Sequence, residues 1–118
     1  MTALTSLLSE RTDAMPPVAI LQPADPFLDV AGEDMRRRIF MTQMSDGTSM
    51  CLRPEFTIPL CLQDLPAGRY GYDGTVFRQG RDGAVEFRQA GLEDLGHAPT
   101  PERDAAVLAD MMDALAVL

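Results

Sequence analysis

Between Arg69 and Gly96 the chain carries two long extended runs with turn residues between them, and that pattern constrains the fold more than any other feature. The runs are Arg69–Arg78 and Val85–Gly96; the connection, Gln79 to Ala84, contains Gly80, Asp82 and Gly83. Glycine accepts a positive φ and aspartate bonds its neighbouring backbone, so both favour turns. Two strand-like runs joined this way predict an antiparallel hairpin. The segment Cys51-Leu52-Arg53-Pro54-Glu55-Phe56-Thr57 leads into it.

Side chains two apart in a strand share a face. Gln89, Gly91 and Glu93 therefore line up on one run, and Tyr72, Gly74, Val76 and Arg78 on the other. A face with Arg78, Gln89 and Glu93 above glycines that leave room is expected to form a platform for a small molecule. The plainer reading is a solvated sheet face with ordinary polar residues.

Charge narrows the partners. Ten arginines, no lysines and eighteen carboxylates give a formal net charge of -8. Such a chain repels a phosphate backbone, so no nucleic-acid partner is expected. The only basic run, Arg36-Arg37-Arg38, follows Glu33 and Asp34 and reads as a solvated helix end or strand start. Apolar residues make up 46% of the chain, without the ~18-residue run a membrane span needs. No basic region followed by a long apolar run opens the sequence, so a cytoplasmic protein without membrane partners is expected. Cys51 and Cys61 fall on a strand and the following helix as reduced thiols, and with His97 the sole histidine no metal site and no cofactor are expected.

The remaining elements follow from local signals. Residues from Thr2 to Ala14 predict a helix with Leu4, Leu7 and Leu8 on its apolar face, stopped by Pro16-Pro17. Val18–Leu21 reads as a buried strand, and Gln22–Asp29, with Pro23 and Pro26, as an irregular connector. Ile39–Met44 and Ser49–Arg53 predict paired strands about a turn at Ser45-Asp46-Gly47-Thr48. Pro54 is placed to open a helix, with Glu55 as a favourable first-turn charge. Thr100 and Pro101 announce a last helix, whose Val107, Leu108, Met111, Met112, Leu115 and Leu118 form a broad apolar stripe.

The ordered set Leu52-Arg53-Pro54-Glu55 with Thr57, Val76-Phe77-Arg78 and Phe87-Arg88-Gln89-Ala90-Gly91-Leu92-Glu93 resembles the second signature motif of class II aminoacyl-tRNA synthetases, in the histidyl-tRNA synthetase branch. Within that branch, Gln22-Pro23-Ala24-Asp25-Pro26-Phe27-Leu28-Asp29 and Phe56-Thr57-Ile58-Pro59 are similar to the ATP phosphoribosyltransferase regulatory subunits, paralogues that do not charge tRNA. The resemblance runs from about Ile20 to Leu118. It implies an α+β fold: a partial class II synthetase-like antiparallel sheet flanked by helices, with residues 1–118 forming the N-terminal part of a single core domain that lacks the third motif.

By resemblance, Arg78 meets a carboxylate or phosphate, while Glu55, Gln89 and Glu93, with the Thr57 hydroxyl beside them, surround a histidine-like amino group. No catalytic residue is implied. The connection between Arg78 and Phe87 is shorter than in synthetases, with Arg81 its only cation, and Phe56 stands where synthetases carry glycine. The implied function is a non-catalytic regulatory subunit of ATP phosphoribosyltransferase, serving the first step of histidine biosynthesis and its feedback by histidine. The implied partners are a short-form ATP phosphoribosyltransferase catalytic subunit, further copies in a homodimer or higher oligomer, and histidine, held on this chain or at a subunit interface. Two other readings stay open: a fragment of a histidyl-tRNA synthetase core, and a vestigial piece kept for oligomer contacts.

Overall fold

The structure is a computed structural model and describes residues 2–83 and 85–118. It divides into two compact units: the stretch through Pro17 with Asp64–Asp73 and Ala90–Leu118, and Val18–Gln63 with Gly74–Gln89.

In the first unit, helix α1 (Ala3–Arg11) begins where the Thr2 hydroxyl accepts a hydrogen bond from the Thr5 backbone N–H at 3.1 Å. That cap satisfies a donor the first helical turn leaves free. Leu4 and Leu8 are buried against Ala114 of a long C-terminal helix, with Leu7, Met15, Ala90 and Met111 packed around them. The leucine face expected of this helix is therefore the one it buries. Beyond α1 the chain runs beside the stretch Arg69–Gly71, where Asp13 donates its N–H to the Arg69 carbonyl and Gly71 donates to Ala14.

The second unit is built on a three-stranded antiparallel sheet in the order β1-β3-β2. Its strands are β1 (Leu21–Pro23), β2 (Met41–Gln43) and β3 (Ser49–Leu52). Helices α2 (Asp25–Val30) and α3 (Glu33–Arg38) lie between β1 and β2 in sequence, and α4 (Thr57–Leu62) follows β3. Ala24, Phe27, Ile39 and Cys51 form its core. Burial pushes the Cys51 thiol up to about 11, so it stays protonated and behaves as a small apolar side chain. The β2–β3 turn forms where expected: Gly47 sits at φ 89°, and Met44 and Gly47 donate to Thr48 and Met44 carbonyls.

Three local expectations are corrected. Val18–Ile20 lies outside any strand, and the strand is Leu21–Pro23, so Pro23 belongs to the ladder rather than to a connector. Strand β1 is an edge, where proline's missing N–H costs no inner hydrogen bond. Asp25–Val30 is a helix, with Pro26 in its first turn, where proline is tolerated. The helix after β3 starts at Thr57 instead of Pro54, and Pro59 also falls within its first turn. The triple arginine ends α3: Arg37 pairs with Glu33 at 2.9 Å and Arg38 lies 4.0 Å from Asp34.

The hairpin is present as β4 (Gly68–Phe77) and β5 (Glu86–Leu95), a two-stranded sheet. Both strands pass through the division of the chain, which falls after Asp73 on β4 and after Gln89 on β5. Ala84, the last residue of the expected connection, lies outside the described residues. The first unit ends with α5 (Pro101–Ala116), capped by the Thr100 hydroxyl, which accepts from the Arg103 N–H at 3.2 Å.

Candidate ligand site

Four of the five residues expected to hold a ligand fall in the second unit: Glu55, Thr57, Arg78 and Gln89. Glu93 lies on the part of β5 that belongs to the first.

Glu55 precedes α4 and points its carboxylate at that helix. One oxygen accepts from the Thr57 N–H at 2.6 Å and the other from the Ile58 N–H at 3.0 Å. Both donors are first-turn amides without partners inside the helix, so a carboxylate is well placed to stabilise them. Gln89 turns the same way, its Oε1 accepting from the Phe56 N–H at 3.0 Å. Two of the acceptors read as ligand-holding, Glu55 and Gln89, are thus engaged by backbone amides of residues 56–58.

Arg78 extends beyond β4 and its guanidinium lies 5.3 Å from the centre of the Phe87 ring. Its backbone N–H donates to the Val85 carbonyl at 3.1 Å, closing the hairpin end. The Arg78 Nε is buried without a hydrogen-bond partner among the described residues. A buried donor left unbonded is costly, and a carboxylate or phosphate oxygen would satisfy it.

The glycines do not leave room. A Cβ on Gly91 would lie 2.6 Å from the Tyr72 hydroxyl and 2.9 Å from Cζ of that ring. At Gly74 it would meet Cζ of Phe56 at 3.0 Å and Nη2 of Arg53 at 3.3 Å. The space expected above the strands is filled by the protein's own rings, which pack against the bare Cα atoms. Phe56 itself is buried, only 4% exposed.

Arg53, which belongs to the motif but gains no role from the sequence alone, holds this region together. Its Nε donates to the Thr75 carbonyl and its Nη1 to the Val18 carbonyl, both at 2.7 Å. Its guanidinium lies 4.7 Å from the centre of the Phe56 ring. Burial holds its pKa below the ordinary arginine value. The available signal was a cation between Leu52 and Pro54, three residues before an aromatic ring. Among the described residues no group of three or more His, Cys, Asp or Glu side chains is placed to hold a metal ion.

No family model matches the chain. Curated relatives do. The chain is 54% identical over 112 residues to an ATP phosphoribosyltransferase regulatory subunit of Chelativorans sp., covering 91% of this chain and 30% of the relative. With a protein of the same name from Mesorhizobium japonicum the identity is 56% over 112 residues, with the same coverage. The chain is homologous to a part of the ATP phosphoribosyltransferase regulatory subunits. It spans about 30% of the length of these relatives. A histidine–tRNA ligase subunit of Alicyclobacillus acidocaldarius superposes with a TM-score of 0.81 at 21% identity, over 97% of this chain and 35% of that one. At that identity the likeness speaks for the fold, a mixed helix-and-strand arrangement with antiparallel sheets of the class II histidyl-tRNA synthetase kind.

Proposed function

We propose that the chain is a segment of a non-catalytic regulatory subunit of ATP phosphoribosyltransferase, serving the first step of histidine biosynthesis and its inhibition by histidine. The observation that carries this reading is identity at more than half of the aligned positions, over 91% of the chain, with proteins of that name. The partner is a catalytic phosphoribosyltransferase subunit, the setting is the cytoplasm, and the segment contributes to one class II synthetase-like core. Among the described residues no helix is long and apolar enough to cross a membrane.

The ligand is histidine, and each side chain has a role. Arg78 meets the carboxylate through the Nε that lacks a partner, a charge-assisted contact. Glu55 draws the ammonium, with Gln89 and Thr57 beside it. Feedback is then a coupling free energy: histidine favours the assembly in which the catalytic subunit is inactive. The synthetase reading is disfavoured by the buried Phe56 ring and by the short Gln79–Glu86 connection, whose only cation is Arg81.

The full-length protein should restore growth without histidine to cells lacking their regulatory subunit. In the reconstituted complex Arg78→Gln should weaken histidine inhibition about tenfold or more, since a charge-assisted contact is worth about 1.5–3 kcal/mol. Unchanged inhibition removes the ligand role and leaves a structural face. Histidine-dependent ATP–pyrophosphate exchange by the full-length protein would overturn the non-catalytic assignment.

A further inference from the structure

We infer that an open basic hollow on the second unit is a docking surface for an acidic face of the catalytic subunit. Seven of the chain's ten arginines belong to this unit, and four of them gather in one place. Arg36, Arg37 and Arg38 end α3, and the hairpin turn brings Arg81 beside that helix. An exchanged pair of bonds fixes the turn to the helix end. The Gln79 N–H donates to the Arg38 carbonyl at 2.8 Å, and Arg38 Nε donates to the Gln79 carbonyl at 2.9 Å. Asp34 lies 4.0 Å from both Arg38 and Arg81. Beside this junction Ala31, Glu33, Arg36 and Arg37 line an open hollow of about 460 Å³.

The kind of occupant follows from how the cations are held. Arg36 commits Nε and Nη2 to the Leu28 carbonyl, at 3.1 and 2.7 Å, so the edge through which arginine grips a phosphate in two bonds is already taken. Arg37 pairs with Glu33 at 2.9 Å. What remains is a positive field spread over a surface, with the Arg37 side chain 74% and that of Arg81 92% exposed. Glu33 and Asp34, set among the arginines, weaken the pull on a compact polyanion. A protein face can match both signs. Val30, just ahead of Ala31, adds an apolar anchor: it is 71% exposed, more than any other large apolar side chain described in this unit. Phosphate gains nothing from such a contact, whereas protein interfaces combine apolar contact with arginine and a polar rim. The partner comes from the regulatory-subunit reading, on which this docking rests; the charge pattern supplies where and how that partner is met.

The test follows association of the full-length protein with its catalytic subunit by stopped-flow fluorescence, at low and at high sodium chloride. Wild type is compared with Arg81→Glu, with the double variant Arg37→Glu/Arg81→Glu and with the conservative Arg37→Lys/Arg81→Lys. At low salt the double glutamate variant should associate about tenfold more slowly, and the difference should fade at high salt, because exposed charges act mainly on the encounter rate. Arg81→Glu alone, at a side chain that packs against almost nothing, should give part of that loss, and the lysine variant should keep the wild-type rate. Val30→Ser should leave association unchanged and speed dissociation, where apolar contacts are felt. Folded glutamate variants that associate like wild type overturn the docking role and leave the regulatory reading intact. A wild-type protein that does not bind the catalytic subunit overturns that reading and the docking role with it. Binding of inorganic pyrophosphate that is lost in the double variant, with subunit association unchanged, marks a small-anion site instead. A change in the protein's own sedimentation, again with subunit association unchanged, marks a contact between copies, and either result overturns the proposal.

Discussion

Glu55 caps the start of α4. Its two oxygens bond the Thr57 and Ile58 amides, so Glu55→Ala should cost about 1 kcal/mol in denaturant unfolding, the usual worth of a helix cap. If Glu55 also draws a ligand ammonium, the same variant loses histidine affinity; if it only caps, stability falls and affinity holds. Gly74→Ala should cost roughly 1–3 kcal/mol, because the added methyl meets the Phe56 ring at 3.0 Å. Asp94 carries a pH prediction. Arg103 grips it with two bonds, at 3.1 and 2.9 Å, and with His97 and Arg69 holds its pKa below the ordinary carboxylate value. A depressed folded-state pKa contributes stability above the unfolded value of about 4, and that stability is lost as pH falls through the folded value. Asp94→Asn should therefore flatten the stability profile below about pH 4 while changing little of its shape near neutrality.

At the scale of elements, α5 is held in an unusual way. Ala114 is its one buried residue, while Leu108, Met112 and Leu115 are exposed, as is Leu118 just beyond it at 78%. Charge supplies much of its attachment: Asp110 receives both Arg11 and Arg69, and Asp113 receives Arg11. Asp110→Asn should cost about 1–2 kcal/mol, since Asp110 and Arg69 are mostly shielded from water. Asp113→Asn should cost about 0.5 kcal/mol or less, because that carboxylate is half exposed and well screened. Thermal melts of both variants check the ordering. The helix was legible in its cap and its 3.6-residue period, and so was the hairpin in its alternation and turn residues. Strand β1 and helix α2 were not. Pro23 and Pro26 argue against regular structure unless the strand is known to be an edge and the proline to fall in a first turn, and neither fact is local. The glycine floor was misread for a similar reason: alternation tells which face Gly74 and Gly91 share, but not that Phe56 and Tyr72 would fill it.

For the molecule as a whole, the α+β class and the antiparallel sheets were readable from the ordered motif residues. The division of the chain after Asp73 and after Gln89 was not, because each break falls inside a continuous strand. Leu115 of α5 and Leu118 beyond it line an apolar groove of about 190 Å³ with Leu4, Leu8, Ala90, Gly91, Met111 and Ala114. An open apolar face of this kind favours association, so sedimentation at micromolar concentration should give a dimer or larger species. Leu115→Glu should shift that equilibrium toward the monomer. The two faces of α5 also answer salt in opposite ways. Sodium chloride screens the clasp of Arg11 and Arg69 on Asp110, so it should loosen the helix within each molecule. Ammonium sulfate, excluded from apolar surface, should instead draw molecules together through the outer face. The identity of the anion, rather than ionic strength alone, therefore decides whether added salt frays this helix or buries it.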